Sequence, residues 1–538
     1  MHDAIDEIVQ RFDQVRGQRV NFESNWQQAA DVMDPMGGDY NTKRSPGEKR
    51  TERIYEMTGA NALEKFTAAM EAFHTPRTQR WHNLRASDEE LNKDKSVREW
   101  FESAEDLLFK MRNAPAARFY GQMYEVYKNL GLTGNGCLFV VEGPSGGVRY
   151  RYTHVGQTYI ETNFEGVVDT VYYEYELTAR AAVQKWGSDV PANITSDAKS
   201  QPLAKHKFLH VVRPNRDRDP ERKDAAGKPF KSIEIAMTER QTVGKPGGYE
   251  EFPYIWTRYT VNPSEVYGRG PAQMALPDVL TLQEMQKTFL RAGHKVVDPP
   301  LLVHDDRKMG RGPKKIRLES GGINVGGVSA EGRPLIQPLV TGGRLDLNDA
   351  MMDTLREGIR DIFLNGYFDI LADDRVQMTA YEVAERMKEK GQLLAPVIGR
   401  QQSELLGPLI VRELGIAQRQ GLLPPLPDAL IEADGEYEIE YESDATRMQR
   451  SDEIAAFVRL NEVMAPYYEA NPALLQKIDA EEAMEHYGHD LGVPSKLFHS
   501  EDEMEEIHAQ QAEAMERDRL MQEIPAGAKA AHDVGLTA

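Results

Sequence analysis

The stretch from about Asn262 to Met378 limits what this chain can become more than any other. Its first part runs NPSEVYGRGPAQMALPDVLTLQEMQKTFLRAGHKVVDPPLLV, and its last part GGRLDLNDAMMDTLREGIRDIFLNGYFDILADDRVQM. Pro271 and Pro277 stand where helices start, and Asp278 follows in a first turn, where a carboxylate opposes the positive helix end. Val279, Leu282, Met285, Phe289, Ala292 and Val296 recur every three or four residues, which predicts one apolar helix face. Asp298-Pro299-Pro300 stops the helix, because proline cannot continue it and pushes its predecessor toward extended backbone. From Pro277 to Val297 the rod is about 30 Å long.

A second helix follows the Gly342-Gly343 break, with Leu347, Met351, Leu355, Ile359, Ile362 and Gly366 as its expected buried stripe. Two rods of similar length thus run out to a small tip and back. A lone helical hairpin cannot bury both sides of each rod, and identical copies in a ring would supply the missing cover. Lys287, Arg291 and Lys295 form a basic line on the first rod, and Asp349, Asp353, Glu357 and Asp361 an acidic line on the second. Such lines are solvated faces, or they pair between neighbouring copies, or they face a wet central channel. Pairing between copies is the preferred expectation, with channel lining second.

The rest of the chain sets the context. Its 538 residues allow roughly two to four domains. Apolar content of 40% and charged content of 28% are those of a folded protein, and no run of about 18 apolar residues predicts a membrane span. The N-terminal MHDAIDEIVQRFDQV reads as an amphipathic helix and not as a signal peptide. The single cysteine, Cys137, excludes an intramolecular disulfide and reads as a buried small hydrophobe at a strand entry. A net charge of −21 argues against tight wrapping of nucleic acid, which needs Lys and Arg to neutralise phosphate. It does not argue against DNA that passes an acidic wall without sticking.

Residues 1–36 read as a helical entry ended by Asp34-Pro35, and 37–53 as a polar, mobile loop. Helices are expected over 54–80, 94–112 and 115–130, the last starting at Pro115. From 131 the pattern turns to strands: GCLFVVEG, RYRYTHV, TYIETN, VVDTVYYEYEL, FLHVVRP, KSIEIAMTE and FPYIWTRYTV, with a short helix at TARAAVQKWG. The module between the rods carries Arg307, Lys308, Arg311, Lys314, Lys315 and Arg317, and at about 40 residues it is too small to hold its own core. Thr379 with Glu382 forms a capping box for a long helix that Pro396 and Pro408 should kink, and EYEIEYES should return as a strand to the earlier sheet. From Asp452 the chain reads helical, with a disordered tail from Ile524. The expected fold class is α+β.

Catalytic signatures are missing from the sequence. It has no G-x-x-x-x-G-K-S/T phosphate loop, no G-x-S-x-G elbow, no H-E-x-x-H and no C-x-x-C. Glu485, His486, His489 and Asp490 are the nearest thing to a metal cluster, but no third ligand stands at a recognisable spacing. Asp305-Asp306 and Asp373-Asp374 are explained by turns. No cofactor or metal is expected. A metal-dependent nuclease built on the acidic pairs is the rival from another class, and it requires divalent-dependent DNA cleavage.

Five stretches carry a family likeness: YGRGPAQMALPDVLTLQEMQKTFLRAG, the DPPLLV turn, MTAYEVAERMKEKGQLLAPVIGRQQSELLGPLIVREL, GLLPPLP, and SNWQQAADVMDP near the N-terminus. In their order and extent they resemble the portal (head-to-tail connector) proteins of short-tailed bacteriophages, over most of the chain up to about residue 500. The resemblance implies a homo-oligomeric ring at one capsid vertex, usually of twelve subunits. Double-stranded DNA is pumped in through it without sequence preference and later leaves through it. It implies a wing from 1–270 and 379–445, a stem from 271–298 and 345–370, and a clip from 299–344. A tunnel loop from 371–378 and a crown with its tail from 446–538 complete the set. By position, Asp373, Asp374 and Arg375 would lie on the tunnel loop close to DNA. The clip would dock the terminase motor and then tail adaptor proteins. The ring would also serve capsid nucleation with the major capsid and scaffolding proteins, and tail attachment. The family has no ATPase of its own, in accord with the missing phosphate loop. The implied location is the virion, and the host cytoplasm during assembly. A tail or adaptor protein other than the portal is the nearest alternative, and it would lack the paired rods.

Overall fold

Ile5, Ile8, Val9, Phe12 and Val15 are all buried on one side of the first helix, the side that the spacing of the apolar residues predicts. The computed structural model describes residues 2–297 (positions 89 and 145 aside), 345–368, 399–432, 437–441 and 456–467, with short pieces between 301 and 338 and between 483 and 517. It is a mixed α+β fold, as expected, in two units. One unit comprises Met1–Glu71, Gly121–Phe139 and Arg151–Gln377, the other Ala72–Tyr120, Val140–Tyr150 and Met378–Ala538.

In chain order, α1 (His2–Gln18) and α2 (Val20–Met33) come first, and a coil leads to α3 (Thr58–His74). Then come β1 (His82–Ala86), α4 (Lys95–Asn113), α5 (Phe119–Thr133), β2 (Asn135–Glu142), β3 (Val148–Tyr152), β4 (Thr158–Thr162) and β5 (Val168–Thr178). Helices α6 (Ala179–Trp186) and α7 (Ala192–Ser200) precede β6 (Lys205–Pro214), β7 (Phe230–Ala236), β8 (Gln241–Thr242), β9 (Gly247–Tyr249) and β10 (Tyr254–Arg258). The long helix α8 (Pro271–Val297) follows, then β11 (Leu301–Val303), β12 (Ile336–Pro338), α9 (Leu345–Ile362) and α10 (Asn365–Phe368). The last named elements are α11 (Gly407–Arg419), α12 (Asp428–Glu432) and β13 (Tyr437–Tyr441).

In the first unit an antiparallel sheet runs in the order β4-β5-β6-β7-β8, with β9 added on β7. The alternation in FLHVV decides its two faces, because successive strand side chains point to opposite sides. Leu209 and Val211 join Tyr159, Tyr172 and Ile235 under α1. Phe208 joins Ala236 and Val243 under α6 and α7. His210 shares that second side and is fully tied up, its Nδ1 2.6 Å from Tyr254 OH and its Nε2 2.8 Å from Ser232 Oγ. Burial pushes its pKa down to about 4. Cys137 is buried on β2, as expected, and burial pushes its thiol up to about 12.

In the second unit β13 pairs antiparallel with β1, from His82 opposite Tyr441 to Ala86 opposite Tyr437. The returning strand therefore does not join the larger sheet. Asp94 caps α4 by accepting from the Ser96 N–H. Arg112 of α4 and Glu413 of α11 form an ion pair that is only 1% exposed on each side. Tyr150 OH donates to the same carboxylate at 2.5 Å, and the guanidinium lies 4.3 Å over the Trp81 ring. A buried pair of this kind is held by its extra hydrogen bonds, and deleting one partner strands the other.

Several local expectations need correction. Pro277 lies inside α8, which starts at Pro271. It sits on an exposed side, where solvent can take the carbonyl that loses its N–H partner. Pro115 lies in a turn, and α5 starts at Phe119. Pro408 stands in the first turn of α11, directly after a π-helical turn at Gln402–Leu406. The 37–53 loop is tied down: Tyr40 OH donates to Asn129 at 2.8 Å, Arg44 pairs with Asp31, and Arg50 donates to Gly37 O at 2.6 Å. Thr379, Glu382 and Pro396 lie outside the described residues.

Candidate assembly site on the helical hairpin

The root of the hairpin is built from YGRGPAQ. Gly268 and Gly270 are there because the chain passes against the α5–β2 turn. A Cβ on Gly268 would lie 2.3 Å from Gly134 O, and one on Gly270 2.6 Å from Gly134 N. The buried Asn135 side chain closes the contact, accepting from Gly268 N–H at 2.8 Å and donating to Gly268 O at 3.1 Å. From there α8 buries Ala272, Ala275, Leu276, Val279 and Leu282. Gly59, at the start of α3, lets Val279 come close, since a Cβ there would sit 3.1 Å from its Cγ2.

Gln283 completes the root. It is 6% exposed, and its amide pairs with the backbone ahead of α3. The oxygen accepts from Tyr55 and Glu56 N–H at 2.8 and 3.1 Å, and the nitrogen donates to Glu56 O at 2.5 Å. The Glu56 carboxylate accepts from Thr58 N–H and Oγ1–H at the head of α3, and meets Arg356 of α9 at 3.4 Å. One short segment thus joins α3, α8 and α9. Asn135, Gln283, Glu56 and Arg356 are not in the expected set, because polar residues give no periodic signal.

α8 spans 27 residues, about 40 Å, and its cover ends at Gln283. Beyond it no described residue of the helix is buried. Met285, Phe289 and Ala292 are half-buried, and Leu290 and Val297 are exposed. α9 packs on α8, but its buried stripe is Met352, Ile359 and, just beyond its end, Phe363. Met351 is 61% exposed against 1% for Met352, so the expected stripe is off by one residue at that point. Adjacent methionines give a periodic pattern no means of choosing between them. Gly366 is likewise exposed. Phe363 makes an edge contact with Phe66 at 6.2 Å.

The two charged lines lie on the open surface. Arg291, Lys295, Asp349, Asp353, Glu357 and Asp361 are all exposed. Lys287 is half-buried, pairs with Glu284 at 2.7 Å, and lies 5.7 Å from the Tyr55 ring centre. Asp353 pairs with Arg356 at 2.8 Å. Among the described residues no ion pair joins the basic line to the acidic one.

Asp373, Asp374 and Arg375 lie outside the described residues, as do Asp305, Asp306, Arg307, Lys308, Arg311, Lys314, Lys315 and Arg317. So do Glu485, His486, His489 and Asp490. Of the module between the rods, the antiparallel pairing of β11 with β12 is described. Among the described residues no group of three or more His, Cys, Asp or Glu could hold a metal ion, and no helix is long and apolar enough to cross a membrane.

A family model for "Bacteriophage head to tail connecting protein" matches residues 5–498. The chain is 26% identical over 536 residues to the "Probable portal protein" of Bordetella phage BPP-1, covering 98% of this chain and 95% of that one. It is 26% identical over 538 residues to the "Portal protein" of Salmonella phage epsilon15, covering 97% and 94%. A chain from the neck of an empty GTA particle matches at 12% identity and a TM-score of 0.37, covering 86% of this chain and 98% of that one, a likeness too low to carry an argument.

Proposed function

The chain belongs to the bacteriophage head-to-tail connecting protein family, and from that membership we propose that it is a portal subunit, a structural protein of the capsid vertex. Two near-full-length relatives named as portal proteins support this reading. In it, copies form a ring, of twelve in the usual case, around a channel for double-stranded DNA. A terminase packages the DNA through the ring, and tail adaptor proteins attach to it afterwards. The major capsid and scaffolding proteins meet it during assembly in the host cytoplasm. Residues 1–270 and 379–445 form the wing, 271–298 and 345–370 the stem, 299–344 the clip, 371–378 the tunnel loop and 446–538 the crown.

One observation carries the ring: α8 is buried up to Gln283 and only partly covered beyond it, with Leu290 and Val297 exposed. A helix that keeps an apolar face past its own chain's cover is built for another molecule. The next copy is the economical one, since its α9 offers an acidic line to Lys287, Arg291 and Lys295. These exposed pairs contribute little each, about 0–1 kcal/mol, but they set register and are weakened by salt. In the channel the protein has no chemistry to do. Acidic walls repel phosphate and keep DNA from arresting, and Asp373, Asp374 and Arg375 meet it at the tunnel loop. The basic cluster from Arg307 to Arg317 gives the clip a charged docking edge.

The test is reversal of Lys287, Arg291 and Lys295 to Glu, with native mass spectrometry and cryo-EM of the purified chain. Pairing between copies predicts loss of rings at low salt and partial rescue when Asp349, Asp353 and Glu357 are changed to Lys. Normal rings with failed DNA packaging would instead put the basic line on the DNA.

A further inference from the structure

Among the described residues the most exposed large apolar side chain is Phe164, 95% accessible at the tip of the β4–β5 hairpin. Val167 in the same tip is 57% accessible. The tip is held by many hydrogen bonds. Asn163 N–H donates to Val167 O at 2.8 Å, and Gly166 N–H to Asn163 O at 3.1 Å. The Asn163 side-chain oxygen accepts from Glu165 and Val167 N–H, each at 3.0 Å. Gly166 takes a φ of +82°, which glycine adopts without strain. The buried Arg258 donates to Gly166 O at 2.9 Å and to Val266 O at 3.3 Å, tying the tip to the segment that leads into α8. A tip fixed this way displays an aromatic ring that loses little freedom on binding, the usual make-up of an interface anchor.

Charge selects the occupant. Glu165 is exposed and Asp169 half-buried, and neither has an ion pair among the described residues. Glu161 is already neutralised by Arg11 at 2.6 Å. The whole chain carries −21, so a second copy offers this acidic tip a repelling surface on average. We propose that the β4–β5 tip is a docking knob for a different protein, with Phe164 entering an apolar pocket whose rim carries Lys or Arg. The contact lies on the sheet-bearing body and does not depend on the hairpin ring.

The test places a photoreactive side chain, Phe164→p-benzoylphenylalanine, in the full chain during phage assembly, with the adduct mapped by mass spectrometry. The expected adduct joins the chain to a different polypeptide, at an apolar segment flanked by Lys or Arg. With that polypeptide purified, Phe164→Ser weakens binding roughly ten- to a hundred-fold, and Glu165→Lys with Asp169→Lys also weakens it. Phe164→Ser leaves the thermal midpoint of the isolated chain unchanged, because the ring has no intramolecular packing to lose. An adduct with a second copy, no adduct in finished particles, or unchanged binding of Phe164→Ser overturns the proposal. Binding unaffected by the two charge reversals overturns the basic rim.

Discussion

The two halves of α8 share one sequence rhythm and have opposite surroundings. Up to Gln283 the apolar positions are buried against α2, α3 and α9. From Glu284 on the same spacing continues, with Met285, Phe289 and Ala292 half-buried and Leu290 and Val297 exposed. The rhythm therefore reports which face of the helix is apolar, and says nothing about what covers it. In the root the cover is the chain itself. In the outward half the chain itself leaves the cover partial, and in the proposed ring a neighbouring copy would complete it, oriented by the exposed charges.

Substitutions should separate the halves by their effect on the isolated chain. Phe363→Ala removes a fully buried ring at the root and should cost about 3–5 kcal/mol in denaturant unfolding. A cost below about 1 kcal/mol would mean that the root is as loose as the outward half.

Acid should act on the body next. Burial lowers His74, His154 and His210 to about 4. In the unfolded chain each takes a proton below about pH 6.5, but in the fold each stays neutral until about pH 4. Stability is thus full above about pH 6.5 and falls as the pH drops toward 4, by about 3 kcal/mol per histidine. A midpoint that is flat between those values would contradict their burial. His210→Phe should flatten part of the slope.

Gln283→Ala comes third. It leaves the Tyr55 and Glu56 N–H groups and Glu56 O without their partner, and should cost about 1–3 kcal/mol. Hydrogen exchange should then speed up at the head of α3. At the small end, Leu290→Ala in the outward half should change the isolated chain by no more than about 0.5 kcal/mol while weakening self-association. A large loss in the isolated chain would mean that α8 is already covered there.

Legibility in the sequence divides along the same line. The apolar face of α1, the alternation of Leu209 and Val211 against Phe208 and the burial of Cys137 all follow from patterns that local chemistry imposes. The helix α7 was not legible, since only Ile194 in it is buried and it shows no period. Neither was the choice between Met351 and Met352, nor the passage of α8 through Pro277, which reads locally as a helix start. Of the candidate site, the positions of the charged lines were legible: Arg291, Lys295, Asp349, Asp353, Glu357 and Asp361 are exposed and Lys287 is half-buried, while the surface they face in an assembly stays a proposal. The root clamp was not. Gln283 and Asn135 are polar types that composition assigns to the surface, and their partners lie more than a hundred residues away in sequence.

The central claim is that neighbouring copies cover the outward half of α8. Its most direct test is backbone hydrogen exchange across Pro271–Val297, measured on the same protein as isolated chain and as assembled ring. The account predicts strong added protection from Glu284 to Val297 on assembly and little change from Pro271 to Gln283. Equal exchange from Glu284 to Val297 in both states would contradict it.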